Sequence, residues 1–164
     1  TRYSFLILRF SICLERERTE TTLAKIEGVG YGNEELIHNI SISENGDCLQ
    51  KSMRMALQNT SLEEVDAIVM HAPGTIKGDV SEWNAIKLVF GTQTPALTSN
   101  KWKVGHSLGA SGALSIEFAI LMMQYQQFIE SPYYKNETQP IQLKKILINA
   151  VGFGGNAVSI LLSI

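Results

Sequence analysis

The chain has 164 residues, of which 45% are hydrophobic and 18% charged, so it is long enough to bury the core of one domain. Its formal net charge of −2, with no block of like charges, gives no reason to expect nucleic acid or an anionic membrane as a partner. Two cysteines far apart in the sequence indicate a reducing compartment, which we expect to be the cytoplasm, rather than a disulfide framework.

Apolar runs and helical patterns alternate along the chain. The first apolar run, at residues 5–10, is too short to span a bilayer, so we expect part of a strand rather than an anchor or signal peptide. The predicted strands are Tyr3–Leu14, Leu23–Gly32, Ala67–His71, Ala96–Asn100, Lys145–Val151 and Ala157–Ile164. The predicted helices are Asp47–Gln58, Val80–Phe90 and Ser107–Gln126. Alternation of this kind predicts an α/β fold with a mostly parallel sheet that ends in an antiparallel pair.

Polar residues and glycines stand at the ends of three predicted strands. His71 ends a short apolar run and is followed by a turn that contains Pro73 and Gly74. The last two strands are joined by a glycine-rich turn, residues 152–156. We expect these strand ends to carry a functional site.

The segment Lys101–Ala113 joins a polar cluster to the helix predicted at Ser107–Gln126. This helix is apolar on most faces, so we expect it to be buried nearly all round. Gly109 and Gly112 at its start predict that another backbone packs closely there. The amides of the helix N-terminus, next to His106, would keep that imidazole neutral. The alternative, that His106 is an ordinary hydrogen-bonded core residue, is about equally favoured by this residue alone.

Two other interpretations are disfavoured by the sequence. The glycines at residues 28–32 and 152–155 do not lead into a helix within a crossover unit, and no Gly-Lys-Ser/Thr follows them, which argues against a phosphate loop. His71, Asp79 and His106 match no local zinc-ligand spacing, so no metal site is expected.

The segments around His71, His106 and Gly152, in this order, resemble the C-terminal half of a β-ketoacyl-acyl-carrier-protein synthase of the thiolase superfamily. The resemblance implies the C-terminal half of a thiolase-like α/β fold: a mixed, mostly parallel five-stranded sheet with packed helices, plus one N-terminal strand that belongs to the other half. Residues 1–22 would be the strand and connector of that preceding half, and residues 23–164 the C-terminal domain.

The resemblance also implies roles for individual residues. The catalytic residues would be His71, His106 and Lys101. The substrate-binding residues would be Thr75, Gly152, Phe153 and Gly154, with Phe153 gating the acyl pocket. Structural roles would fall to Asp79, Glu82, Gly109, Gly112 and Asn156. Two of these assignments have plain alternatives, since Lys101 could be a solvent-facing turn lysine and Phe153 a core aromatic residue. No cofactor and no metal are implied.

The function implied is decarboxylative condensation of acyl and malonyl thioesters in fatty acid or polyketide synthesis. Expected partners are an acyl carrier protein and the synthase half or subunit that supplies the nucleophilic cysteine, in an obligate oligomer. The alternative is a non-catalytic subunit like a chain length factor. A third possibility, a thiolase or a priming synthase, fits the His106 and closing-turn motifs less well.

Departures from the family pattern favour the non-catalytic alternative. Ala72 and Pro73 replace a glycine and a threonine after the first histidine, and the closing turn lacks a threonine before Asn156. The nucleophilic cysteine of the family lies in a half that this chain does not contain. Cys13 and Cys48 lack the setting of that nucleophile at a helix N-terminus, so we expect both to be ordinary thiols.

Overall fold

The computed structural model of the chain describes residues 11–35, 42–137 and 139–164. Five strands form one sheet: β1 (Lys25–Asn33), β2 (Ala67–Val69), β3 (Ala96–Thr98), β4 (Lys145–Gly152) and β5 (Asn156–Ser163). The helices are α1 (Asp47–Ala56), α2 (Ile76–Phe90), α3 (Lys101–Val104) and α4 (Ser111–Tyr125), with 3₁₀ turns at Leu62–Glu64 and Leu108–Ala110.

The strand order is β1-β5-β4-β2-β3, and β2 pairs in parallel with both β3 and β4. The other two pairings, β4 with β5 and β1 with β5, are antiparallel. The expected five-stranded mixed sheet is therefore present, with two parallel and two antiparallel pairings, and its antiparallel part joins the last two strands of the chain to β1. The first predicted strand, Tyr3–Leu14, lies mostly outside the described residues, and its last four residues, 11–14, are irregular and exposed.

Alternating strand residues divide the core between the two faces of the sheet. Ile68, Leu147 and Leu161 point toward α1 and α2, where they join one hydrophobic cluster. Their neighbours along the strands, such as Val69 and Ile148, belong to a second cluster that includes the inner face of α4. The sheet is therefore sandwiched between α1 and α2 on one side and α4 on the other. Because consecutive crossovers lie on opposite faces, a crevice opens at the carboxyl ends of the parallel strands.

The three glycines of β1 allow α1 to lie against the sheet. Gly28, Gly30 and Gly32 share one face of the strand, and a Cβ atom on any of them would overlap a main-chain carbonyl oxygen of α1. Glycine is required here because two backbones approach closely. This close approach explains the glycine run at residues 28–32.

Two helices begin elsewhere than the sequence predicts. α2 begins at Ile76, four residues before the predicted start, because the Thr75 hydroxyl accepts a hydrogen bond from the Gly78 amide at 3.2 Å and caps the helix. The predicted helix at Ser107–Gln126 begins only at Ser111, after a 3₁₀ turn in which Leu108 has a φ of 51°. The short helix α3, which the sequence did not predict, fills the space after β3.

The expected burial of α4 on nearly all sides is wrong for this chain. Its buried residues are Ser111, Ser115, Ala119, Met122 and Met123, which form a single stripe against the sheet. A Cβ atom added to Gly109 or Gly112 would meet no atom within 4 Å. The close backbone contact that these glycines predicted is therefore not made by the described residues.

A side chain occupies the outer edge of the sheet at β3. Asn136 accepts a hydrogen bond from the Leu97 amide at 2.7 Å and donates one to the Leu97 carbonyl oxygen at 3.2 Å. The amide of Asn136 thus satisfies both polar groups that a further strand would pair with.

Candidate active site

Two predicted site residues, His71 and His106, converge at the crevice. His71 follows β2 and His106 follows β3, so the parallel pairing of these strands brings the two segments to one edge of the sheet. The ring centroids lie 5.3 Å apart, and the ring planes are nearly perpendicular at 82°. His71 is 7% exposed, whereas His106 is exposed.

Both imidazoles are neutral near pH 7. Burial is the main cause that lowers the pKa of His71, to about 3, with smaller contributions from the charge of Lys101 and from the neighbouring His106 ring when it is protonated. Burial and then the Lys101 charge also lower the pKa of His106. The helix expected to begin beside His106 starts only at Ser111, and the amide that faces the ring is that of Leu108 in the preceding 3₁₀ turn.

The proton of neutral His106 is fixed on one ring nitrogen. Its Nδ1 accepts a hydrogen bond from the Leu108 amide at 3.1 Å, so the ring hydrogen is on Nε2. The Nδ1 atom of His71 is buried and has no hydrogen-bond partner within the described ranges of the chain. Each ring can therefore present one N–H group to a substrate atom.

The loop after His71 is held by side chains from α2. The buried carboxylate of Glu82 accepts hydrogen bonds from the His71 amide at 2.9 Å and the Ala72 amide at 2.8 Å. Asp79 Oδ1 accepts from the Gly74 amide at 3.1 Å. Ala72 adopts a φ of 33°, in the left-handed region that favours glycine. These bonds hold the loop in its shape although alanine and proline replace the residues usual in the family.

Lys101 begins α3 and is partly buried beside the two histidines. Burial lowers its pKa, and the negative charges of Glu82 and Asp79 partly oppose this effect. The charge of Lys101 in turn lowers the pKa of both imidazoles. Its charge at this position therefore favours neutral histidines, and its side chain is partly buried rather than fully solvent-facing.

The glycine-rich turn between β4 and β5 lies at the same edge of the sheet, because β4 runs parallel to β2. Phe153 is 80% exposed at its tip, and Gly154 and Gly155 have positive φ values of 87° and 71°. The side-chain amide of Asn156 donates to the Phe153 carbonyl oxygen at 2.9 Å and closes the turn. Phe153 is thus not a core aromatic residue of this chain.

Buried polar residues behind Glu82 were not identified from the sequence. Asn149 is the central polar residue of the apolar strand β4 and donates to Glu82 Oε1 at 3.1 Å. Ser159 on β5 donates to Asn149 Oδ1 at 2.8 Å. The signal that could have revealed Asn149 is a carboxamide within an otherwise apolar strand next to the glycine-rich turn.

Cys48 lies in the first turn of α1 but is not a reactive thiol, and the described residues offer no metal site. Cys48 is fully buried, and burial, followed by the charge of Glu34, raises the pKa of its thiol to about 12, so it does not form a thiolate. Cys13 is exposed in an irregular segment. Within residues 11–35, 42–137 and 139–164, no group of three or more His, Cys, Asp or Glu side chains could hold a metal ion.

A family model for the C-terminal domain of β-ketoacyl synthases matches residues 23–134. This chain belongs to the β-ketoacyl synthase family. The resemblance and the fold class expected from the sequence are thereby confirmed.

The β-ketoacyl synthase domain is similar in sequence to two 3-oxoacyl-acyl-carrier-protein synthases and in structure to a ketosynthase complex. It is 34% identical to 3-oxoacyl-[acyl-carrier-protein] synthase 1 of Buchnera aphidicola subsp. Baizongia pistaciae over 149 residues, 83% of this chain and 36% of that protein. Identity to the synthase 1 of Haemophilus influenzae is 30% over 180 residues, 98% of this chain and 43% of that protein. A ketosynthase in complex with its chain length factor from Xenorhabdus doucetiae has a TM-score of 0.78 and 25% identity, covering 88% of this chain and 40% of that one. The chain thus spans less than half the length of these relatives.

One segment of the domain, Leu108–Tyr125, is long and apolar enough to cross a membrane by length and composition alone. Core helices of soluble proteins pass the same test, which makes this weak support for a membrane span. The inner side of this segment contributes Ala119, Met122 and Met123 to the hydrophobic cluster beneath the sheet.

Proposed function

We propose that this domain is part of a 3-oxoacyl-acyl-carrier-protein synthase that catalyses decarboxylative condensation of acyl and malonyl thioesters. The observation that supports the proposal most strongly is the pair of neutral imidazoles with ring centroids 5.3 Å apart. The proteins of Buchnera and Haemophilus to which the domain is similar are named 3-oxoacyl-[acyl-carrier-protein] synthases, which supports the proposal. A reducing, cytoplasmic location fits the two unpaired cysteines.

The proposed reaction requires stabilisation of an enolate. An acyl group is held as a thioester on a cysteine supplied by another part of the protein or by another subunit. Loss of carbon dioxide from the malonyl thioester leaves the electron pair of the broken bond on an enolate, with negative charge on the thioester oxygen. The enolate carbon then attacks the acyl carbonyl, a carbon–carbon bond forms, and the cysteine thiolate leaves.

His71 and His106 would donate hydrogen bonds to the enolate oxygen. A neutral imidazole can donate such a bond without giving up its proton, and one preorganised donor is worth roughly 3 kcal/mol in a site that excludes water. The charge of Lys101 would raise the local positive potential and keep both rings neutral. The exposed His106 shows that the described residues alone do not exclude water from this position.

The remaining site residues would bind the acyl chain. Phe153 stands exposed on a turn whose Gly154 and Gly155 adopt backbone conformations that other residues rarely reach, which suits a side chain that gates a tunnel. The Thr75 hydroxyl caps α2 as an acceptor, so its hydrogen remains available for a substrate oxygen. Gly152 and Gly154 would leave room for the acyl chain beside the turn.

The partners that we propose are an acyl carrier protein and the subunit or half that carries the cysteine. Large apolar side chains within five residues of the histidines along the chain are exposed: Ile76 is 88% exposed, Leu108 70% and Val104 54%. Exposed apolar residues grouped in this way mark a surface for another protein segment. Residues 1–22 would be the connector to that half, and the assembly would be an obligate oligomer. A stable, monodisperse monomer in light scattering would contradict the oligomer.

A second candidate, a non-catalytic subunit like a chain length factor, is favoured by one observation. Ala72 and Pro73 replace residues that supply a backbone amide and a hydroxyl near the first histidine in the family. Solved relatives of the domain include a ketosynthase bound to its chain length factor. Both candidates predict a partner subunit, so activity is needed to distinguish them.

Decarboxylation of malonyl-acyl-carrier protein by the assembled protein tests the proposed function. His106→Ala is expected to lower kcat by about 10²-fold, since one donor to the enolate oxygen is lost. Lys103→Ala is the matched control, because Lys103 is exposed on the same short helix as Lys101 and lies outside the proposed site. Equal rates for the wild type and His106→Ala would leave only the non-catalytic candidate.

A further inference from the structure

A chain of buried hydrogen bonds runs from Glu82 on α2, along the face of the sheet that α1 and α2 cover, to α1. Asn149 on β4 donates to Glu82 at 3.1 Å, and Ser159 on β5 donates to Asn149 at 2.8 Å. The hydroxyls of Ser159 and Ser52, on α1, lie 2.8 Å apart, and the Ser52 hydroxyl also lies 3.0 Å from the Leu49 carbonyl oxygen. Asn149, Ser159, Ser52 and Glu82 are at most 1% exposed. Four polar side chains are therefore buried in the core and connected to one another.

The donors and acceptors of this chain allow one orientation of Asn149. Its Oδ1 is an acceptor, so the single hydrogen of Ser159 must point to it. Ser52 therefore donates to Ser159 and shares its hydrogen with the Leu49 carbonyl oxygen. The two hydrogens of Asn149 Nδ2 face Glu82 Oε1 at 3.1 Å and the sulfur of Met53 at 3.5 Å. A flipped amide would place an oxygen against the Glu82 carboxylate, so the carboxylate selects this orientation and the Ser159 hydroxyl holds it by donating to Oδ1.

Glu82 links the chain to the first histidine. Its carboxylate accepts only three hydrogen bonds from the described residues, two from the amides of His71 and Ala72 and the third from Asn149. Burial raises the pKa of Glu82, whereas these bonds and the charge of Lys101 lower it. Without the bond from Asn149, Oε1 would keep only the bond from the His71 amide, so water would enter or the carboxylate would move to replace the lost bond. Either change would shift the backbone from which the imidazole of His71 projects.

We propose that Asn149, Ser159 and Ser52 are positioning residues that hold His71 at the reacting centre by fixing the Glu82 carboxylate. The inference rests on the proposed function, since it assigns the residues to the same site. It reaches the reacting centre from α1, on the far side of the sheet from α4. A role limited to core stability would be shared with other buried serines and would not change the properties of His71 in particular.

Nuclear magnetic resonance of the intact protein, with any subunit that completes it, separates these roles. Ser159→Ala removes the hydroxyl that orients Asn149, and Asn149→Leu removes the donor to Glu82 itself. The matched control is Ser81→Ala, because Ser81 is 1% exposed, neighbours Glu82 on α2, and donates to the Ser43 carbonyl oxygen instead. The other charged groups at the site, Lys101 and Asp79, are unchanged in all three variants.

The readout is the ring titration of His71 together with the exchange rates of the His71 and Ala72 amides. In Ser159→Ala we expect water to reach the loop, so that the pKa of His71 rises by about one unit and both amides exchange about tenfold faster. Asn149→Leu is expected to do the same more strongly, and Ser81→Ala to change neither. An unchanged His71 titration in both Ser159→Ala and Asn149→Leu, or an equal change in Ser81→Ala, would overturn the proposal.

Kinetics then connect the position of His71 to the reaction. In the decarboxylation assay, Ser159→Ala is expected to lower kcat about tenfold with KM unchanged, because a displaced donor weakens only the transition state. A higher KM with an unchanged kcat in Ser159→Ala would overturn the assigned role. If the wild type itself shows no decarboxylation while the His71 titration responds as expected, the proposed function fails and the positioning of His71 by this chain stands.

Discussion

The two histidines of the site are held in very different ways. His71 is buried in a loop that Glu82 and Asp79 fix through its main-chain amides. His106 is exposed, and the Leu108 amide is its hydrogen-bond partner. The comparison teaches that the described residues bury and fix His71. They orient the ring of His106 but leave it exposed to solvent. Substitutions that affect the two sides unequally test this difference.

The largest expected effect is on the side of His71. Glu82→Leu leaves the amides of His71 and Ala72 without their acceptor in the core, so we expect the free energy of unfolding to fall by about 3 kcal/mol. His106→Ala removes an exposed side chain and should cost less than about 1 kcal/mol. Urea denaturation of both variants measures the contrast. Similar losses would mean that the two sides are equally braced.

The pH dependence of stability should also follow His71. Its pKa is about 3 in the folded protein and near 6.5 in the unfolded chain, so the unfolded state binds the extra proton between these values. Stability from this group is complete above the unfolded pKa and is lost as the pH falls, at about 1.4 kcal/mol per pH unit.

Substitution of the histidine isolates this contribution. Between about pH 6 and about pH 4, the stability difference between the wild type and His71→Asn should change along that slope of about 1.4 kcal/mol per unit. The stability difference between the wild type and His106→Asn should vary much less with pH, because His106 is exposed. A flat difference for His71→Asn in urea titrations across this range would show that the folded protein can protonate His71.

Glycine substitutions sharpen the comparison at the level of packing. In Gly78→Ala the new Cβ would lie 2.8 Å from both Pro73 Cγ and Thr75 Oγ1, so we expect a loss of about 1–2 kcal/mol. Gly109→Ala meets open space and should change stability by no more than about 0.5 kcal/mol. Thermal unfolding gives both values. If Gly109→Ala weakens association with the completing subunit, the backbone that approaches this glycine belongs to that subunit.

The smallest expected effect concerns two strained residues, one on each side. Ala72 and Leu108 have φ values of 33° and 51°, which cost other residues about 1–2 kcal/mol relative to glycine. Substitution by glycine relieves this strain, but part of the benefit is lost because glycine increases the conformational entropy of the unfolded chain. We therefore expect Ala72→Gly and Leu108→Gly each to raise stability by about 0.5 kcal/mol. A decrease in the melting temperature of either variant would contradict the assigned strain.

The periodic parts of the fold could be predicted from the sequence because they follow local rules. Apolar runs gave the strands β2, β4 and β5 within one or two residues, and the pairing of β2 with β3 made the meeting of His71 and His106 foreseeable. The start of α2 was missed although the spacing from Thr75 to Gly78 is that of a helix cap. That error came from neglecting a local signal.

Other features could not be predicted because they depend on contacts between distant segments. The bond from Ser159 to Asn149 joins neighbouring strands, whereas that from Ser52 to Ser159 spans 107 residues. Hydrophobic patterning does not report such polar contacts. The burial of α4 was overestimated for a different reason: an apolar helix surface does not reveal whether its own chain or another segment covers it.

The side chain of Asn136 blocks the addition of a further strand at the β3 edge of the sheet. By occupying both polar groups of Leu97, it makes the β3 side a poor template for incoming strands, while β1 forms the opposite border of the described sheet. Any extra strand, whether from a neighbouring molecule or during aggregation, is therefore directed to one border alone. Asn136→Ala would expose the main-chain groups of Leu97, so that a further strand could also pair with β3.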